Sequence, residues 1–407
     1  MEIELSSSSG PLHIILAEQI ITGKVIFTNK KERPTGFVTI SLLGKTDTAF
    51  SKGRTVYIGS ATLLNLVTIL HDGGSLAQKR YEWPFEFTFP KVTSGEEKKW
   101  LDVPPFQVSE GHRLPPSMVF DSGDFDRDSG KGSVVYTLEA KFSTSPKSSV
   151  FSSSESASTI LYYIPYRQTE LPAPRIASMG KERFTCSSKL LGPPGEKPKG
   201  FFKRVKTPTS VFEIGLTVPH TLYVGAPLPI TLTLTHDLAN STAPEIPVVK
   251  LTSCTVTLIR TMHAAGKALL TSDDSTFSIA ELLLSSPTLS LPLSETQNLS
   301  EILSLPGIRT KYGMSFATYN LAQTFKVMVK VTLECADKSF WTELRSKSVV
   351  VLAPFTMEGL EKGGGDPGVV LLGMNGISSG GDGGGEAAAG LLEQVLGVGI
   401  GAVLGAL

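Results

Sequence analysis

Residues 313–341 contain a long and regular alternation of apolar and polar positions. One face of the alternation carries Phe325, Val327, Val329, Val331, Leu333 and Cys335. The other face carries Lys326, Lys330, Thr332 and Glu334, with Met328 as the exception. Because successive side chains of a strand point to opposite faces, this stretch predicts an antiparallel strand with one face in a core and the other in solvent.

An earlier stretch, GSVVYTLEAKFS, repeats the pattern. Its inward positions are Val134, Tyr136, Leu138, Ala140 and Phe142. Each stretch is followed by a turn and a further apolar run, STILYYIPYR after the earlier one and LRSKSVVVLAP after the later one. The repetition predicts two similar halves.

Other apolar runs fill in the N-terminal half. LHIIL and GKVIF predict short strands, and FVTISLLG predicts a strand with Val38, Ile40 and Leu42 inward. YEWPFEFTFP places four aromatic residues on one face, namely Trp83, Phe85, Phe87 and Phe89. Pro84 puts that strand at a sheet edge or at its start. In residues 59–74, the spacing of Leu63, Leu66, Val67 and Leu70 fits a short helix, although a strand is the alternative.

The C-terminal half opens with VFEIGLTVP, which places Phe212, Ile214, Leu216 and Val218 on one face. PITLTLTH and SCTVTLIR predict further strands, followed by a polar connection. Residues 168–208 lack periodicity and accumulate proline and glycine, which is typical of a linker. The glycine runs after residue 354 predict a flexible tail.

These patterns predict an all-β chain of two immunoglobulin-like antiparallel β-sandwiches. The predicted organisation is an N-terminal sandwich over residues 1–167, a basic linker over 168–208, a C-terminal sandwich over 209–354, and a tail over 355–407 with an apolar end.

Composition narrows the class of partner and the compartment. Lysine plus arginine and aspartate plus glutamate both number 38, so no net field of the whole chain favours nucleic acid or membrane. The cysteines, Cys186, Cys254 and Cys335, are far apart in sequence and are expected to be buried free thiols in a reducing compartment. The first residues lack the basic and apolar regions of a secretory signal. We therefore expect a cytoplasmic protein, with a peripheral position at the plasma or endosomal membrane as the alternative.

Short motifs give little support for an enzyme. GISSG, with Ser378, matches a nucleophile elbow, but it sits in the glycine-rich tail and no histidine follows it. GVGIGA leaves too few residues for a dinucleotide-binding unit. The acidic run Asp121, Asp124, Asp126 and Asp128 lacks the glycine and glutamate of a calcium loop, and GKT at residues 44–46 lacks the glycine of a phosphate loop. No catalytic site, cofactor or metal is predicted.

Two segments remain as candidate binding sites. A basic cluster surrounds Phe201 and Phe202 and consists of Lys197, Lys199, Lys203, Arg204 and Lys206. Such a cluster attracts phosphorylated or acidic tails and anionic lipid headgroups, and the alternative is a solvated linker. The last 17 residues are apolar nearly all round, which fits either a membrane-touching tail or a disordered end.

The order of motifs resembles the arrestin-like family, especially its fungal alpha-arrestin branch. The N-terminal half has GKVIFTN, FVTISLLGKT, WPFEFTFP, LPPSM and VVYTLEAK in the order of an arrestin N-domain. VGAPLPITLTLTH, CTVTLIR, SFATYNLAQTFKVMVKVTLECADKSF and VVVLAP are similar to the C-domain series. The resemblance implies two immunoglobulin-like sandwiches in a non-enzymatic cytosolic adaptor. Such an adaptor binds cytosolic tails of membrane transporters or receptors and links them to endocytic trafficking or ubiquitination machinery.

The chain departs from many alpha-arrestins in one motif. VPPFQ, LPPSM and GPPGE each lack the tyrosine of the P-P-x-Y motif that engages WW domains, so any contact with a ubiquitin ligase is expected to be indirect. A retromer-like sorting-coat subunit, which has a related fold, is the alternative interpretation. A serine hydrolase using Ser378 is a third.

Overall fold

The computed structural model of the chain describes residues 1–6, 13–33, 35–94, 103–107, 109, 111–121, 129–144, 155–165, 176–192, 207–268, 271–308 and 313–352. Most of these residues are in strands and few are in helical turns, which confirms the all-β prediction. The strands of the N-terminal half are β1 Glu2–Leu5, β2 His13–Leu16, β3 Ile20–Thr28, β4 Phe37–Lys52, β5 Thr55–Asp72, β6 Arg80–Thr88, β7 Met118–Asp121, β8 Gly130–Ser143 and β9 Glu155–Ile164.

The C-terminal half begins with a strand inside the predicted linker. Its strands are β10 Ile176–Ser187, β11 Thr209–Pro219, β12 Thr221–Tyr223, β13 Thr231–His236, β14 Val249–Lys267, β15 Ser272–Ser286, β16 Leu291–Pro292, β17 Thr296–Asn298, β18 Phe316–Ala317, β19 Leu321–Cys335, β20 Lys338–Arg345 and β21 Val350–Leu352. Short helical turns occur at Lys189–Leu191, Leu238–Asn240 and Leu299–Ile302.

The described strands form curled and mainly antiparallel sheets. One small sheet has the order β1-β3-β6, and another has the order β10-β11-β13-β17. The largest sheet runs β18-β19-β14-β5-β4-β8-β9-β2 and thus passes through both halves, with β15 and β16 on β14, β20 on β19 and β7 on β8. The junction within it is narrow, because β14 and β5 pair at one position, Lys267 with Ile58.

The alternation predicted for the two central strands is confirmed. In β19, the residues from Phe325 to Cys335 that were predicted inward are buried, whereas Lys326, Lys330 and Glu334 are exposed. In β8, the five predicted inward residues from Val134 to Phe142 are likewise buried. Burying an apolar side chain of this size contributes about 1.5–3 kcal/mol, so each strand anchors a core.

Each half has its own apolar cluster, but the N-terminal cluster is completed from the other half. It combines side chains of β3, β4, β6 and β8 with Met262 and Ala264 of β14, Phe277 of β15 and Tyr319 and Leu321 near the start of β19. The C-terminal cluster packs β11 and β13 against β14 and β19, and it also takes in Ile164 of β9. The two halves therefore share buried contacts in addition to the chain connection.

The run with helical spacing, residues 59–74, is part of strand β5, so the short-helix interpretation is wrong and the alternative of a strand is confirmed. Two irregularities in the pairing with β4 explain the spacing: the register shifts between Gly44 and Lys45 and again between Val38 and Thr39. Each shift adds a residue to β5 and changes which face the following side chains occupy. Apolar residues consequently recur at three- and four-residue intervals without forming a helix.

Three further predictions are corrected. The polar connection after β14 is instead β15, a 15-residue strand that pairs with β14 and in which only Phe277 is buried. The predicted linker over residues 168–208 contains β10, which pairs with β11 over its whole length. In addition, the strand that follows β19 is β20, not the run LRSKSVVVLAP, whose residues Val350–Leu352 form β21 beside β12.

Candidate functional site

A groove lies between two strand edges of the C-terminal half. β10 is the outermost strand of its sheet, and β20 lies on the far side of β19 in the large sheet. The space between them has a volume of about 390 Å³. This volume falls in the range of small-ligand and peptide clefts.

Two contacts join β10 and β20 along the groove. At one end, the backbones approach so closely that a Cβ on Gly180 would lie 2.8 Å from the Arg345 carbonyl oxygen, so only glycine fits there. Further along, the Phe184 and Phe340 rings pack against each other with their centroids 5.1 Å apart. β10 and β20 therefore run in opposite directions beside the groove, with a backbone contact at one end and a ring contact further along.

The floor of the groove is apolar and its rim is polar. Ile214 and Leu333 are buried at the floor, and the half-buried Phe184 lies beside them and stacks on Phe212 at 5.3 Å. Glu182, Arg183, Ser339 and Thr342 line the rim. An apolar floor with a few polar groups above it is the usual composition of a binding cleft.

Trp341 is the most exposed aromatic group at this site. It lies on the rim with 69% of its surface accessible. The Lys330 ammonium is 5.2 Å from the centroid of its indole ring, which fits a cation–π contact. An indole held at the mouth of a cleft offers a large apolar surface at low entropic cost to a binding partner.

Ion pairs fix the charged groups around β10. Arg183 pairs with Asp237, and Lys181 pairs with Glu213 at 2.6 Å. Hydrogen bonds from the Asn240 side chain, and then the charge of Arg183, hold the pKa of Asp237 below its usual range. The Asp237 carboxylate is thus kept ionised beside Arg183, so the rim carries charges of both signs at neutral pH.

A second site of interest is the seam between the two halves, where polar groups are buried together. Thr46 of β4 donates a hydrogen bond to the Asn320 side-chain oxygen at 2.5 Å. Thr48 donates to the Ala265 carbonyl at 2.6 Å, and the Ala265 amide donates to the Asn320 carbonyl at 2.8 Å. Thr46, Thr48 and Asn320 are almost fully buried. Leaving any of these groups unpaired would cost about 1–3 kcal/mol, so the seam is specific in its geometry.

Gly59 explains how the halves come this close. A Cβ at Gly59 would lie 2.5 Å from the Ala265 carbonyl oxygen and 2.4 Å from the Thr48 hydroxyl oxygen. At the end of the seam, Lys52 and Asp273 form an ion pair at 2.9 Å. Hydrogen bonding between them raises the pKa of Lys52 and lowers that of Asp273, although both groups are exposed enough for solvent to weaken the pair.

Most residues singled out in the sequence do not belong to either site. The basic cluster of Lys197, Lys199, Lys203, Arg204 and Lys206 lies outside the described residues, as do Ser378, GVGIGA and the tail. Asp124, Asp126 and Asp128 also lie outside them, whereas Asp121 pairs with Lys131 at 2.8 Å. Residues 44–46 lie in β4, where Thr46 contributes to the seam.

The thiol prediction is confirmed, since Cys186, Cys254 and Cys335 are free and buried. Burial raises the pKa of the Cys254 thiol to about 12. Burial and a hydrogen bond with Cys186 also raise the pKa of Cys335 to about 12. The Cys254 and Cys335 thiols therefore stay protonated at neutral pH, unlike a nucleophilic cysteine.

Comparison with known proteins finds no match, either among protein-family models or among curated proteins. Within the described ranges, no helix has both the length and the apolar character needed to cross a membrane. The same residues contain no grouping of three or more His, Cys, Asp or Glu side chains placed to hold a metal ion.

The groove and the seam were not predicted from the sequence. Trp341 belongs to the polar face of β20, where a single aromatic residue gives no periodic signal. Phe184 lies in the segment assigned to the linker. Thr46 and Thr48 occupy regular strand positions, and the sequence does not distinguish a threonine in a buried hydrogen-bond network from an exposed one.

Proposed function

We propose that this protein is a non-enzymatic, arrestin-like adaptor made of two immunoglobulin-like sandwiches. It binds cytosolic segments of membrane transporters or receptors and connects them to trafficking or ubiquitination machinery. The observation that carries this proposal is the groove between β10 and β20, with its apolar floor, exposed Trp341 and two flanking strand edges.

The groove suits an extended peptide better than a compact ligand. Edge strands can pair with an added strand through their backbone groups, while alternate side chains of that strand enter the cleft. The apolar floor at Ile214 and Leu333 accepts one aliphatic or aromatic side chain, and the mixed charges of Glu182 and Arg183 can pair with flanking residues of the peptide. Flexible cytosolic tails provide such segments.

The seam supports the same function in another way. An adaptor that binds cargo with one half and machinery with the other benefits from a fixed orientation of the two halves. The buried hydrogen bonds from Thr46 and Thr48 to Asn320 and Ala265 provide a specific joint between the halves. Buried free thiols also agree with a reducing compartment, which is where cytosolic tails are found.

Direct recruitment of a WW-domain ligase is not expected. A WW domain binds an exposed proline segment in a polyproline conformation. Pro115 and Pro116 of LPPSM are buried, and VPPFQ lacks the tyrosine. Titration of the full chain with isolated WW domains should give no binding in the low micromolar range, and binding at that strength would contradict indirect recruitment.

Proximity labelling in the native cell tests the proposal. The wild-type chain should label transporters or receptors together with endocytic proteins, and Trp341→Ala should reduce this labelling severalfold. Leu282→Ala is a matched control, because Leu282 is 60% exposed on β15 but does not line the groove. Neutralising Lys197, Lys199, Lys203, Arg204 and Lys206 together tests whether the basic cluster contributes to binding acidic tails or anionic membranes.

Other outcomes would favour the rival functions. Recovery of the chain in a fixed ratio with coat subunits would indicate a retromer-like role. Reaction with a serine-directed probe that is lost in Ser378→Ala would indicate a hydrolase. Labelling that is unchanged in Trp341→Ala and in the charge-neutralised variant would contradict recognition through either surface.

A further inference from the structure

The outer edge of β5 lacks a strand partner over its second half in the part of the chain that the structure describes. β5 pairs with β4 along its length, and among the described strands its other side pairs only at Ile58, opposite Lys267. The Leu63 carbonyl on that side accepts a hydrogen bond from the Ser94 amide. From residue 64 to residue 72, no strand of the described part of the chain pairs with this edge.

The open segment is unusually apolar for a strand edge. Val67 and Ile69 point outward and are 57% and 62% exposed, and their β4 partners on that face are the polar residues Ser41 and Thr39. Leu66 and Leu70 pack partly against the N-terminal core. Natural edge strands are normally protected by lysine, proline or inward charges, and this segment has none of them. A bulge opposite Val38 and Thr39 disturbs one end of it.

The sequence of the segment is close to symmetric. Residues 65–71 read NLVTILH, so that Thr68 is flanked by two β-branched residues, then by two leucines, and then by two polar residues. If two copies pair antiparallel about Thr68, Val67 lies opposite Ile69 of the other copy, and Leu66 lies opposite Leu70. Cross-strand pairs of this kind stabilise a sheet by about 0.2–1 kcal/mol each.

Charge also favours a second copy as the occupant. A two-fold axis brings every charged group near it close to the same group of the other copy. From Thr55 to Leu70, β5 contains no Asp, Glu, Lys, Arg or His, so a two-fold contact meets no like-charge repulsion along this stretch. Asp72, at the far end, would lie opposite the apolar Leu64 of the other copy.

We propose that the protein forms a two-fold homodimer in which β5 of one copy pairs antiparallel with β5 of the other, centred on Thr68. The large sheet then continues from one copy into the next, which covers Val67 and Ile69 and satisfies the backbone groups of the open edge. A contact built mainly on one strand pair is at the small end of stable interfaces, so dissociation in about the micromolar range is expected.

Sedimentation equilibrium of the full chain measures this dimer. Wild type should shift with concentration from 43.5 kDa towards twice that mass. Val67→Lys and Ile69→Lys place new charges beside the axis on exposed positions, and each should raise the dissociation constant at least about tenfold. Leu282→Lys, at a similarly exposed position on β15, should leave the dissociation constant unchanged.

Thr68→Cys tests the register. A residue on the axis lies opposite the same residue of the other copy, at a distance that a disulfide can span. Mild oxidation of Thr68→Cys with diamide should therefore give a covalent dimer, whereas oxidation of Leu282→Cys should not. The natural cysteines are buried and do not compete. The proposal is overturned if wild type stays monomeric to about 100 µM, as it would if a different protein covers the edge. It is equally overturned if dimers survive both lysine substitutions or if Thr68→Cys gives no covalent dimer.

Discussion

The two halves build their interiors from different side chains around the same kind of central strand. The core around β8 is rich in aromatic rings, among them Phe27, Phe50, Phe89, Phe142 and Tyr163. The core around β19 is mainly aliphatic and consists largely of valine, leucine and isoleucine, with Phe212 and Phe325 as its large rings. The alternation that predicts both strands is the same, but the packing that follows from it is not.

The difference affects how each core responds to change. In the N-terminal half, Phe89 stacks on Tyr163 at 4.4 Å and meets Tyr136 edge-on at 5.2 Å, so one ring fills a large part of the space between the sheets. In the C-terminal half, many smaller side chains share that task. Removing a ring leaves a larger cavity than removing a branched aliphatic side chain, so the N-terminal core should lose more stability per substitution.

The largest effect is expected from Val329→Asp. Val329 is fully buried in β19, so the new carboxylate has no partner and its burial should reduce the free energy of unfolding by more than about 4 kcal/mol. Leu138→Asp in β8 should do the same in the other core. Denaturant unfolding measures both, and unchanged stability in either variant would mean that the faces of that strand are assigned backwards.

Phe89→Ala and Val331→Ala compare the two cores directly. Both residues are fully buried, but Phe89→Ala should cost about 3–5 kcal/mol and Val331→Ala about 2 kcal/mol, because the ring leaves the larger cavity. Equal losses in chemical denaturation would show that the aromatic core relaxes around the missing ring and that the contrast between the halves has no energetic consequence.

Asn320→Ala tests the seam. Loss of its side chain leaves the buried Thr46 hydroxyl without its closest acceptor, so the free energy of unfolding should fall by about 1–3 kcal/mol. Combining it with Thr46→Val should restore part of the loss, since both partners are then removed. If the two losses simply add, the hydrogen bond does not couple the halves.

The smallest expected effect is a pH dependence at the seam. The His112 ring packs edge-on against Tyr319 at 4.7 Å, and burial lowers the pKa of His112. The unfolded chain therefore takes up this proton first, so stability should decrease as pH falls below about 6.5, until the folded protein is protonated as well. His112→Asn should flatten the melting temperature between pH 7 and pH 5, although His13 and His263, with pKa values also lowered by burial, keep part of the slope. An unchanged slope would place the pH dependence elsewhere.

The sequence predicted the strands in which one face is buried and the other is not. β4, β8, β11 and β19 satisfy that condition, and their inward residues were identified correctly. β15 was missed because only Phe277 of its 15 residues is buried, so polar and apolar positions do not alternate. β10 was missed because it is an outermost strand in a segment whose proline and glycine content indicated a linker.

The candidate sites depend on contacts between distant residues, which periodicity does not report. Thr46 and Asn320 are 274 positions apart in the sequence. They meet because β14 pairs with β5, which places the C-terminal half against the N-terminal half. The groove likewise requires β10 and β20 to lie side by side, an arrangement fixed by Gly180 at one end and by the Phe184 and Phe340 rings at the other. No local pattern in either strand contains that information.

Hydrogen exchange of the full chain tests the adaptor account most directly, with and without the tail peptide that proximity labelling recovers most strongly. If the peptide adds as a strand beside the groove, amides of residues 182–184 and 339–342 should exchange more slowly on binding, and Trp341→Ala should abolish the change. Protection confined to other surfaces, or binding that leaves these amides unaffected, would contradict the claim that the groove between β10 and β20 recognises cytosolic tails.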